Sequence, residues 1–415
     1  MLMMRCICPE DKCTACEACV VVCPKKCIQR QFNEDRSWKL VIEEDKCIGC
    51  RRCEKACPNL TKPYFYAAKE SYAAWRTDFS LHMQSASGGL ASVFYEYAAS
   101  KQMWFAGVFL DDKFEAHFRL TKNMEEISEF RNSKYTFSFV GTVYSEIIDK
   151  LKKGENVLFI GLPCQVAALK NIIQMYSLKG RLITVDLVCH GTPAPIYLQQ
   201  HIQFIENKQN QSFEKCYFRD AKFDTSNFAY TLYTHNSKEP NYMRYVDQDD
   251  NYQIGYHNAL IYREVCYNCS YAKRERVSDI TIGDYHGLGS VEPYLYEKKN
   301  VSSMIIHTEE GQRFVDSIYK EGLITMHKRP LEEPMIHEKQ FNHPSIAPEA
   351  RNLFLELYKK EKDFDKAADS AFIKYKRKNL IRRTLHIRQI KTKLIRMIPR
   401  SVKEQVKVIL RKVKG

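Results

Sequence analysis

Eight of the sixteen cysteines in this 415-residue chain fall into one repeated pattern. The run Asp-Lys-Cys-x-x-Cys-x-x-Cys-x-x-x-Cys-Pro occurs at Asp11–Pro24 and again at Asp45–Pro58, offset by 34 residues. Three cysteines at this close spacing can hold three corners of an iron–sulfur cube. The fourth, before the proline, lies too far along the chain and serves the other cube, so two such copies exchange ligands. The pattern therefore assigns Cys13, Cys16, Cys19 and Cys57 to one 4Fe–4S cluster, and Cys47, Cys50, Cys53 and Cys23 to a second. Zinc would need paired Cys-x-x-Cys clamps and leaves the third equally spaced cysteine and the repeated Cys-Pro unexplained. Disulfides would need an oxidising compartment, and Met1–Glu10 has no apolar stretch of signal-peptide length. The expected location is the cytoplasm. Cys6, Cys8, Cys27 and Cys216 lie outside the ligand pattern and read as core or incidental thiols.

This segment resembles a bacterial-type two-cluster ferredoxin. Between its copies, Arg30–Glu43 carries enough alternating apolar residues for a short strand pair, and Tyr64–Trp75 reads as a connector. The rest of the chain is long enough for one or two further domains. A hydrophobic content of 44% without any run of eighteen apolar residues fits a soluble globular protein and excludes a transmembrane helix. The net charge of +14 is misleading, because residues 374–414 alone carry +15. The body of the chain is therefore nearly neutral, and nucleic acid is not an expected partner.

Past residue 80, Ser87 reads as the N-cap of a helix through Leu90, Phe94 and Tyr97, with Gly88 and Gly89 in a first turn open to an anion. Trp104–Leu110 reads as a strand, and Val143, Ile147, Ile148 and Leu151 as a helix face. Lys134, a lone cation, reads by itself as a solvated side chain. From Asn156 strands alternate with helices: Val157–Ile160, a helix through Leu169, Leu182–Val188, then Ile196–Ile205. That order predicts a parallel sheet whose site lies beyond the C-terminal strand ends. Cys164 and Cys189 both sit at such ends and converge if the strands are neighbours. Phe213–Tyr262 reads as antiparallel strands and loops, Asp279–Ile282 and Val301–His307 as strands, and the segment after Glu332 as helical. Cys164, Cys189 and the Cys266/Cys269 knuckle could hold zinc or a third cluster. Cys164 could equally be a nucleophile, and Cys266/Cys269 a redox dithiol.

Seven stretches between Ser85 and His307 resemble the beta-subunit family of coenzyme F420-dependent hydrogenases and dehydrogenases. They are Ser87-Gly-Gly, Ser133-Lys-Tyr, Gly161-Leu-Pro-Cys-Gln, Val188-Cys-His-Gly, Phe218-Arg-Asp, Cys266-x-x-Cys and Asp279-Ile-x-x-Gly-Asp. The resemblance implies an FAD-binding oxidoreductase with a third 4Fe–4S cluster on Cys164, Cys189, Cys266 and Cys269. It also makes Ser87, Gly88, Gly89, Ser133, Lys134, His190 and Gly191 candidate flavin contacts. The expected fold is α+β: a ferredoxin module (1–65), an N-terminal-like region (80–155) and a C-terminal-like domain (156–330) of that family forming an α/β flavin and iron–sulfur domain, and a basic helical tail (374–415). The expected function passes electrons between a one-electron carrier such as ferredoxin and a two-electron partner, coenzyme F420H2 or a small-molecule substrate. Relatives in bacterial polysaccharide and envelope biosynthesis suggest one setting for such a substrate. The alternative is an electron-transfer subunit serving a separate catalytic partner. In the tail, Ile387, Ile390, Leu394 and Ile398, then Val402, Val406, Ile409 and Val413 after Pro399, recur at helical spacing among basic residues. Two such helices suit an anionic surface at the inner face of the membrane, or docking on a protein.

Overall fold

The computed structural model describes residues 4–33, 38–223, 225–296 and 300–385. The duplicated motif folds as a duplicated backbone. Each copy opens with a 3-10 turn, Glu10–Lys12 or Glu44–Lys46. Strand β1 (Met4–Cys6), helix α1 (Ala18–Val22), strands β2 (Ile28–Phe32) and β3 (Trp38–Glu43) and helix α2 (Arg52–Ala56) complete the module. Helices α1 and α2 start from left-handed residues, Glu17 at φ 62° and Arg51 at φ 56°. Both stop at an extended cysteine, Cys23 or Cys57, because the following proline disfavours helical geometry in the residue before it. Strands β2 and β3 form the expected antiparallel pair, and β1 adds to the far side of β3.

Strand β4 (Glu70–Arg76) and helices α3 (Phe79–Met83) and α4 (Leu90–Ser100) come next. Then follow β5 (Trp104–Leu110), β6 (Ala116–Thr121), α5 (Ile127–Phe130), β7 (Ser138–Phe139) and α6 (Val143–Lys152). The alternating part comprises β8 (Val157–Gly161), α7 (Pro163–Ile173), β9 (Leu182–Leu187) and α8 (Pro195–Gln209). An insertion holds β10 (Lys215–Tyr217), β11 (Tyr230–Tyr233), β12 (Tyr242–Arg244), α9 (Asn251–His257) and α10 (Glu264–Tyr267). Last are β13 (Ile280–Asp284), β14 (Ser302–Ile306), α11 (Glu309–Lys320), β15 (Ile324–Lys328), α12 (Glu332–His337), α13 (Ala350–Glu361), α14 (Phe364–Ala371) and α15 (Ile373–Thr384).

Nine of these strands form one mixed sheet in the order β15-β4-β14-β13-β9-β8-β5-β6-β7. Its centre, β13, β9, β8 and β5, is parallel as expected. Strand β8 is buried along its whole length, which its unbroken apolar run requires once helices cover both faces. On one face α4 and α11 supply Phe94, Phe314 and Ile318 to the core. On the other, α6 and α7 supply Ile147 and Leu169, and Val22 and Ala56 of the cysteine module join the same cluster. The module is thus seated on the sheet's helical layer.

Two expectations change. Tyr64–Trp75 is no mere connector: β4 lies between β14 and β15 in the sheet. Its centre, Ala73 and Ala74, lacks the branched residues that mark strands, yet both alanines are fully buried where only small side chains fit. Residues on either side of position 155 share the sheet through the pairing of β5 with β8. The aromatic region 213–262 contains the expected antiparallel sheet but also α9, which starts where Asp250 accepts a hydrogen bond from the Gln253 N–H. The heptad-like tail positions from Ile387 to Val413 lie outside the described residues. None of the described helices is long and apolar enough to cross a membrane.

Candidate functional site

The extended geometry at Cys23 and Cys57 sends each of them to the other copy. Cys23 lines a pocket with Cys47, Cys50 and Cys53. Cys57 lines another with Cys13, Cys16 and Cys19. In the second pocket Cys16, Cys19 and Cys57 are buried, whereas Cys50 of the first is exposed. The groups are therefore an inner and an outer set. They meet through Cys19, which packs in one cluster with Cys23, Cys47 and Cys53. Two thiols read as incidental belong to these sites. Cys27 lies 3.5 Å from Cys23, sulfur to sulfur, and lines the outer pocket. Cys8 lines the inner pocket, and its hydrogen bond holds the pKa of Cys57 down to about 6. Nothing in the motif spacing singles out either residue.

The third set is assembled by the sheet. Because β8 and β9 are parallel neighbours, the turn into α7 and the end of β9 bring Cys164 and Cys189 together. Cys266 on α10 and Cys269 just beyond it complete a pocket shared by all four. Burial pushes the Cys164 thiol well up and that of Cys189 up to about 12, while the Arg263 guanidinium pulls both back. Arg263 also ties this site to the inner set. Its Nη1 donates to the Thr14 carbonyl at 3.0 Å and its Nε to the Thr192 hydroxyl at 3.3 Å. Thr14 and Asn59 line both the inner pocket and the third one.

Beyond the C-terminal ends of β8, β9 and β13 lies a cavity of about 510 Å³. Leu162, Cys189, His190, Gly191 and Thr192 line it and the third pocket alike. Six of the seven candidate flavin contacts border this cavity: Ser87, Gly89, Ser133, Lys134, His190 and Gly191. Gly88 does not. Its N–H donates to the Ser302 hydroxyl at 2.9 Å, and a Cβ there would lie 2.4 Å from the Ala74 carbonyl oxygen. Its lack of a side chain serves packing against β4 and β14. Ser87 is not the cap of α4; its hydroxyl donates to the Val301 carbonyl, and the helix starts after Gly89, left-handed at φ 76°.

Lys134 is held rather than solvated. Its ammonium donates to the carbonyls of Glu129, Arg131 and Asn132 at 2.8, 2.6 and 3.3 Å. Burial draws its pKa down to about 7, and the nearby Glu129 carboxylate opposes this. Other wall residues were missed by sequence reasoning or given no role. Arg219 pairs with Asp284 at 2.8 Å. His257 is pushed down to about 3 by burial and is a neutral imidazole. Buried Glu338 faces His190 at 3.5 Å and His286 at 3.4 Å. Burial alone would raise Glu338, but the His190 hydrogen bond holds it below the usual carboxylate range. Arg219 and Asp284 stand within recognised stretches, a signal that was available; Glu338 stands in none.

Residues 154–331 match the family model for the C terminus of the coenzyme F420 hydrogenase/dehydrogenase beta subunit. Residues 12–60 match a 4Fe–4S dicluster domain. Among solved structures, the F420-reducing [NiFe] hydrogenase complex from Methanosarcina barkeri, studied by xenon derivatization, is similar over 78% of this chain and 95% of that one, at 18% identity and a TM-score of 0.40. The comparison with curated proteins gives no match.

Proposed function

We propose, from the match of residues 154–331 to the coenzyme F420 hydrogenase/dehydrogenase beta-subunit family and of residues 12–60 to a 4Fe–4S dicluster domain, that this iron–sulfur protein is a flavin-dependent oxidoreductase. In this reading it moves electrons between a one-electron carrier and a two-electron substrate. The observation that carries the reading is the shared walls: outer set against inner set, inner set against third set, third set against the cavity. Clusters carry single electrons and a flavin exchanges one or two, so together they supply the conversion a hydride donor or acceptor needs.

The residues fit those groups chemically. The third pocket offers four thiol sulfurs and the outer and inner pockets five each, the donor type of which a 4Fe–4S cluster takes four. The cavity offers hydroxyls from Ser133 and Ser87, suited to phosphate, with the Lys134 ammonium set behind them on three carbonyls. Gly89 opens the eleven-residue α4 there, whose N-terminal N–H groups favour an anion. His190 and Gly191 follow Cys189 directly, which suits a ring placed near the third set. Arg219, fixed by Asp284, and the neutral His257 wall the same space and orient whatever enters it.

Stepwise anaerobic reduction tests this. Reduced ferredoxin, F420H2, NADH and NADPH are added in turn to the full-length protein. One of them should bleach both cluster and flavin absorbance, whereas bleaching of cluster absorbance alone by every donor removes the flavin step. The family's description as a beta subunit supports a second reading, in which the chain hands electrons to a separate catalytic partner. Turnover of F420 or another two-electron acceptor by the isolated chain would favour the first reading over the second.

A further inference from the structure

The outer cysteine set differs from the inner in what surrounds it. Arg5, Lys25, Arg51 and Arg52 line its pocket against a single carboxylate, Glu54. Among the described residues, no ionic side chain lines the inner pocket. Arg51 and Arg52 stand where the first copy has Glu17 and Ala18. If the cations served only to offset the charge of a cluster, the inner set would need them more, because it is the less hydrated. They gather instead where the site opens to solvent. Cys50, Lys25 and Arg51 are exposed, and Ile48 shows 60% of its surface beside them.

We propose that this face docks an acidic protein that carries one electron at a time. The inference rests on reading Cys23, Cys47, Cys50 and Cys53 as the ligands of an iron–sulfur centre. A small apolar spot within a mainly basic rim, with Glu54 the one lining carboxylate and Arg5 3.9 Å from Glu44, is the surface a brief electron-transfer encounter needs. The apolar contact brings the centres close, while the charges speed encounter without holding the complex. The step itself is one electron passing from the reduced carrier to the centre held by those four cysteines. The carrier is oxidised by one electron, and no bond or proton moves. Two-electron chemistry is kept at the cavity, on the far side of the inner and third sets, so one partner need not leave before the other arrives.

The test uses the full-length protein and a strongly acidic 2Fe–2S ferredoxin as the probe. Binding and reduction rate are measured across ionic strength for three proteins: the native chain, the pair Lys25→Glu with Arg51→Glu, and, because the tail is itself basic, the pair Lys374→Glu with Lys378→Glu. Binding of the native chain should weaken as salt rises. The first pair should slow ferredoxin-driven reduction about tenfold at low salt relative to reduction by dithionite, and the tail pair should change that ratio little. The inference is overturned if the two pairs act alike, if neither acts, or if the Lys25/Arg51 pair lowers binding to vesicles of anionic phospholipid but not to ferredoxin. Loss of iron–sulfur absorbance from the native chain would instead remove the ligand reading, so the two failures are distinguishable.

Discussion

Glu17 and Arg51 hold equivalent places in the two cysteine motifs, each left-handed ahead of a five-residue helix. Glu17 is 5% exposed and paired with Arg30, whereas Arg51 faces solvent at an open pocket. Helix α1 packs against α6 and α7, and α2 against α7, within one apolar cluster. The outer copy borders a pocket of about 240 Å³ rimmed by cations. Ligand spacing and backbone are common to both, because the chemistry of three close cysteines and a Cys-Pro constrains them. The residues between ligands are free, and at Glu17 and Arg51 they have diverged to suit a buried ion pair in one copy and an open pocket in the other.

The largest effect should come from removing one ligand from each set. Cys57→Ala and Cys50→Ala should each cost about four irons per chain. Only Cys57→Ala should also lower the melting temperature clearly, because its set adjoins the packed seam with the sheet layer. Equal melting temperatures would contradict the inner and outer assignment.

Arg263→Ala should have the next largest effect. It removes a charged hydrogen bond to Thr14 in the cysteine module and another to Thr192 beyond β9. Chemical unfolding should report a loss of about 1.5–3 kcal/mol, with Arg263→Lys recovering part of it.

A pH titration far from both copies sharpens the comparison. Buried His201 lies between Asp250 at 3.0 Å and Asp365 at 2.9 Å. Burial opposes its charge, but the two carboxylates outweigh that and raise it to about 10. A raised pKa stabilises fully below the ordinary histidine value of about 6.5 and is lost as pH rises through the folded one. The packing of α14 on α8 should therefore loosen near pH 10 while cluster absorbance persists. His201→Gln should abolish that transition; an unchanged transition would contradict the assignment.

The smallest effects belong to the fifth thiols. Cys8→Ala and Cys27→Ala should leave iron content unchanged and each alter the EPR signal of one set only, Cys8 the inner and Cys27 the outer. A change in both signals from either variant would contradict their separate placement.

Much of the site was legible because its chemistry is written in spacing. Strand β5 falls on the residues its apolar run marks, and the alternation after Asn156 placed Cys164 and Cys189 at adjacent strand ends. What could not be read depends on tertiary neighbours. Ala73 and Ala74 carry no strand signal, and their burial follows from strands over 200 residues away in the chain. Lys134 looks solvated until the turn before it turns three carbonyls inward. Gly88 suggested an open anion site, but its missing side chain makes room for Ala74 and Ser302. The difference between inner and outer sets was equally hidden, since it follows from which face of the module meets α6 and α7.

The proposed electron route is a continuous series from the outer set through the inner and third sets to the cavity proposed for a flavin. Anaerobic purification of the full-length protein, with iron, sulfide and flavin quantitation, tests it most directly. About twelve irons and one flavin per chain are expected. About eight irons, with zinc bound or flavin absent, would confine redox chemistry to the first sixty residues and contradict it.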